Sequence, residues 1–285
     1  MWMGVFSILL PLSTLLVVSC INGPSEEECA KAEQQIEAAH KAKDYQRLML
    51  LADSLEKDGS LSSAKAYYWR GYASDRTNHR RMAEFYFDTA IKAASTDDPD
   101  IYAKATSHLA NLVTIRGDYE STLKIVTPVA KRLEELKCDT TSDYINLLIY
   151  IGCCQAGLGQ TGDETADGFD KAYKKHLDNV RKNRTDGAYK DAIAGLINIT
   201  YACLVTKDYR SALRWNEKFG ELLNEYEQRP GISSSYIDKQ QARYNIYQAQ
   251  ALEGQGKSDE AAKAKPSVPQ RSASPRRGAS WPTNT

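Results

Sequence analysis

The chain lacks most of the features on which enzymes and metal proteins are built. Its six cysteines form no CxxC pair, so zinc and thioredoxin-type readings have no support. Its four histidines, His40, His79, His108 and His176, never fall at the i, i+4 spacing that metal ligands on one helix need, and they read as surface or interhelical hydrogen bonders. No GxSxG, Walker or GxGxxG loop occurs, and the glycines at 157, 159 and 162 have no strand before them. Acidic runs such as Glu26-Glu27-Glu28 and Asp97-Asp98 fall between helical stretches and read as caps and turns. Catalysis, a cofactor and a bound metal are therefore not expected. Basic and acidic residues balance at 37 each, which leaves no whole-chain excess for nucleic acid. Phenylalanine is scarce, five against 17 tyrosines, so the aromatics carry a polar end suited to half-buried surfaces.

What is present falls into three parts. Residues 1–19 begin with a charge-free run, WMGVFSILLPLSTLLVV, which is broken by Pro11, is marginal in length for a spanning helix and has the length of a signal-peptide core. Val17-Val18-Ser19-Cys20 closes it and resembles a bacterial lipobox, which implies that Cys20 is lipidated and becomes the N-terminus of a membrane-tethered, extracytoplasmic chain. An uncleaved anchor and an ordinary secretory leader are the other readings of this run. The other five cysteines read as buried thiols acting as small apolar residues. Residues 265–285 are different again: basic, without acid, with four of the nine prolines. That composition suits disorder, and its abrupt start in mid-helix points to a shifted frame or truncated gene. A functional basic tail touching anionic lipid through Arg271, Arg276 and Arg277 is the competing account.

Between them, residues 20–264 read at helical period, and a search for self-similarity succeeds. From Gly71, small and aromatic residues recur at Ala83, Phe87 and Ala90. Gly117-Asp118-Tyr119, Lys207-Asp208-Tyr209 and Lys43-Asp44-Tyr45 mark equivalent hairpin turns. These offsets resemble the tetratricopeptide (TPR) repeat, a helix-turn-helix of 34 residues, and the resemblance implies an all-α solenoid, a TPR-like α-α superhelix. Six irregular hairpins are expected at 26–58, 64–95, 102–136, 143–181, 187–227 and 235–264. Pro128 falls inside a second helix and is expected to kink or end it.

In such arrays the first helix of each repeat lines an inner face that holds a protein or peptide. Counting from Gly71 puts Lys65, Tyr68, Tyr72 and Arg76 on that face, with Lys104 and Asn111 from the third repeat, Tyr201 from the fifth, and Arg243 and Tyr247 from the sixth. The carboxylate-clamp members of the family carry Lys and Asn where Tyr68 and Tyr72 stand, so a chaperone tail is not the expected ligand. The other reading of several of these tyrosines is interhelix packing with a wet hydroxyl. The leader joined to irregular repeats resembles TPR lipoproteins of Bacteroidetes-type bacteria. It also resembles the extracytoplasmic TPR sensor region of membrane histidine kinases, which would make the chain a truncated signal-transduction component.

Overall fold

Turn chemistry organises the molecule. A residue in the left-handed region closes the first helix of each hairpin: Lys43, Asn78, Gly117, Gly159, Lys207 and Gly256, with φ between 56° and 79°. In five of these six turns the next amide reaches back to a carbonyl five residues earlier, as in His79 N–H to Ser74 C=O at 2.8 Å and Asp208 N–H to Cys203 C=O at 2.9 Å. This closure satisfies carbonyls that a helix end leaves free. Three turns continue with an aspartate whose side chain accepts a free amide in the first turn of the following helix: Asp44 from Arg47, Asp118 from Ser121 and Asp208 from Ser211. Each cap is worth about 1 kcal/mol. A capping box of Ser25 and Glu28 starts the first helix, and Asp98 caps the fifth, so these acidic runs do serve as caps.

A computed structural model describes residues 23–94, 97–160 and 163–264, and of residues 163–167 the backbone alone. The leader with Cys20 and the segment 265–285 lie outside the described residues. Twelve helices and no strand occur among them. They pair as α1 (Glu26–Lys41) with α2 (Tyr45–Lys57), α3 (Ser63–Arg76) with α4 (Arg80–Ala94), and α5 (Pro99–Ile115) with α6 (Tyr119–Glu135). Then follow α7 (Ser142–Gly157) with α8 (Asp163–Asn183), α9 (Asp186–Val205) with α10 (Tyr209–Glu227), and α11 (Ser234–Gly254) with α12 (Ser258–Ala264). Each second helix packs on its own partner and on the first helix of the next hairpin. First helices also touch each other from α3 onward, whereas second helices do not. This is an all-α solenoid whose odd-numbered helices form the more closely packed, inner layer.

Missing side chains let the layers approach. At Gly71 and Gly152 a Cβ would stand 2.7 Å from the rings of Phe87 and Phe169, so each glycine admits the aromatic of its own hairpin. The turn tyrosines work between hairpins. Tyr119 fills the space beside Gly157, and Tyr209 that beside Gly254, each on the next first helix. Pro128 does not end its helix: α6 runs through it from 119 to 135. The proline is exposed, while Val126, Val129, Ala130 and Leu133 are buried on the opposite face and hold both halves against the core. One lost hydrogen bond is outweighed by that packing.

Candidate inner-face binding site

The inner layer opens at its N-terminal end. Helices α1 and α3 do not approach each other as the later first helices do, and a hollow of about 510 Å³ lies between α1, α3 and α5. Ile36, Leu61, Trp69 and Ile101 give it an apolar floor, and Glu33, Glu37, Lys65 and Lys104 surround it. Their charges are largely matched: Lys65 pairs with Glu33, and Lys41 holds Glu37 at 3.0 Å. Lys104 has no ion pair within contact distance among the described residues. Its charge is felt by Asp143, whose carboxyl burial pushes up to about 6, Lys104 opposing the rise and Asp100 and Asp191 adding to it.

Lys65 and Lys104, two of the residues counted toward the inner face, line this hollow together. The count misplaces Tyr68, Tyr72 and Asn111, which are 7%, 5% and 4% exposed and belong to the interior. Tyr68 lies against Phe87 and His108, and Tyr72 against His40, Trp69 and His108. Their hydroxyls meet the imidazoles of His108 at 3.4 Å and His40 at 3.1 Å. Burial, then Arg76, lowers His108 to about 4, and burial raises Tyr68 well above its usual value, so both stay neutral at pH 7. Arg76 covers the Tyr72 ring at 4.8 Å. These tyrosines are the packing alternative: the clash-free volume beside Gly71 is taken by Phe87, and the tyrosines close over it.

Tyr201, Arg243 and Tyr247 form a separate group at the other end. Tyr201 and Tyr247 lie ring to ring at 6.3 Å, and Arg243 donates to Gln240 at 3.3 Å. Three of the four histidines meet a hydroxyl, His79 through Thr77 at 2.9 Å, but His176 has no partner at Nε2. Among the described residues no group of His, Cys, Asp and Glu has the arrangement of a metal site. Cys153, Cys154 and Cys203 are buried thiols, with Cys154 pushed up to about 11 and Cys203 to about 12 by burial, while Cys29 and Cys138 are half-buried and free.

No protein-family model matches the chain. No curated protein matches it either. Among solved structures it is similar to BtubC (BKLC) from P. vanneervenii, with 14% identity and a TM-score of 0.50, over 87% of this chain and 96% of that one. The shared property is the fold. Both are helical repeat-like chains.

Ile36, Leu61, Trp69 and Ile101 are the apolar site residues that the sequence reading did not include. Trp69 follows a position counted toward the inner face, and its neighbours Tyr68 and Arg70 turn away from the hollow, Arg70 to pair with Asp53 and Glu56 of α2. The available signal was compositional: Trp69 is one of only four tryptophans.

Proposed function

We propose that this chain is a noncatalytic, TPR-like binding module that holds a protein or peptide on its inner face, tethered by lipid at Cys20 to the outside of a bacterial membrane. The observation that carries the reading is the hollow between α1, α3 and α5. It offers an indole and three aliphatic side chains beside a cation that lacks an ion pair. A bulky apolar side chain of a partner would bury itself there, as anchors at interface centres do. The tether rests on the lipobox resemblance alone.

Peptides selected from a display library on the immobilised chain test the inner face. Titration calorimetry should then show at least about tenfold weaker binding after Gln34→Arg, which fills the hollow from its exposed rim, and after Lys104→Glu. Both positions allow native helicity to be retained and checked by circular dichroism. Selected peptides that bind wild type and both variants equally would refute the site.

A further inference from the structure

The outer face of the first two hairpins departs from the pattern of the rest. Two residues after the buried small position of α6 and of α10 comes an exposed cation, Lys124 and Arg214. At the same register α2 and α4 present Leu50 and Phe85, which are 63% and 64% exposed, and Met82 beside Phe85 is 48% exposed. Polar neighbours on this stripe turn their hydroxyls onto their own helices. Ser54 donates to the Leu51 carbonyl at 3.2 Å and Thr89 to that of Phe85 at 2.8 Å. The stripe therefore asks for few hydrogen bonds from whatever covers it.

Charge within α2 and α4 has one free sign, while Asp44 and Asp58 at the two ends of α2 accept backbone amides at 3.0 and 2.9 Å. Every carboxylate of α2 and α4 is engaged: Asp53 and Glu56 with Arg70, Glu84 with Arg116, and Asp88 with Lys92. Arg47, Lys57, Arg80 and Arg81 are exposed and make no ion pair among the described residues, Arg80 sensing Asp75 only at longer range. On α2 the cations sit three residues before Leu50 and seven after it, hence on its side of the helix, and Arg81 lies four before Phe85. Exposed apolar side chains flanked by free cations are the complement of an anionic membrane surface, where the apolar groups enter the headgroup and acyl boundary and the cations meet phosphates. A second copy of this chain fits poorly, since two such faces would oppose cation to cation.

We propose that the outer face of α2 and α4 is a membrane-contact surface that seats on an anionic phospholipid bilayer through Leu50, Met82 and Phe85. It shares no residue with the inner-face hollow and does not depend on that reading.

The test adds a tryptophan reporter to the full chain by Phe85→Trp or, at the same register of α6, Lys124→Trp. Vesicles of phosphatidylglycerol and phosphatidylcholine in equal amounts carry brominated acyl chains, and the wild-type signal is subtracted to remove the native tryptophans. The reporter at 85 should be quenched at least about twofold more than the reporter at 124. Arg47→Glu with Arg81→Glu, or vesicles of phosphatidylcholine alone, should abolish the difference. Equal quenching at both positions in anionic vesicles overturns the proposal. So does a blue-shifted emission at 85 that needs no vesicles and grows with protein concentration, because a second copy would then cover the face.

Discussion

Replacing His176 by leucine should flatten the acid sensitivity of folding by a defined amount. The imidazole is 3% exposed, lacks a hydrogen-bond partner at Nε2, and fits against α9 only because position 195 is glycine, where a Cβ would stand 2.3 Å from that nitrogen. Burial lowers its pKa from 6.5 to about 4. The unfolded chain therefore takes up a proton between those values and the folded chain does not. Stability is present in full above pH 6.5 and is lost as pH falls toward 4. Linkage with these two values makes the loss about 2 kcal/mol by pH 5 and about 3 kcal/mol by pH 4. His176→Leu removes this proton and leaves every other titrating group in place, including Asp143, whose raised pKa acts with the opposite sign. Urea unfolding followed by circular dichroism at pH 7 and pH 5 gives four free energies. The variant should gain about 2 kcal/mol on wild type between the two pH values, whatever its packing does at pH 7. Parallel losses in both proteins would show that the imidazole accepts a proton in the folded state and that its burial has been misjudged.

Gly157→Ala puts a Cβ 2.5 Å from the Tyr119 ring, so thermal unfolding should show a loss of about 2 kcal/mol, and Tyr119→Leu in the same chain should restore part of it. Lys207→Gly relieves a side chain held at φ 61°, and chemical denaturation should report a gain of up to about 1 kcal/mol, whereas Gly117→Ala at φ 79° should lose a similar amount.

Helical period and turn chemistry made the architecture legible. Lys-Asp-Tyr and Gly-Asp-Tyr carry their meaning locally: the first residue takes the left-handed turn, the aspartate caps, and the tyrosine begins the next helix. The helices pair within three residues of the six expected hairpins, because the signals that end a helix lie inside a few consecutive residues. Pro128 was a local signal that did not end its helix. Its effect on the backbone is local, but whether the helix survives depends on the four apolar residues that grip the core from its other side.

The site was legible only in part. Lys65 and Lys104 could be placed by counting along their own helices, but Tyr68 and Tyr72 could not, since burial belongs to a pair of surfaces. Phe87 from α4 packs on Tyr68 and His108 from α5 packs on both tyrosines, and neither contact is written near residue 68 or 72. The hollow itself exists because α1 and α3 stand apart where later first helices touch. Sequence by itself determined which residues are helical and where the hairpin turns fall. Tertiary structure alone decided which side chains remain at the surface, because that depends on the distance between helices far apart in the chain, and no local periodicity encodes that distance.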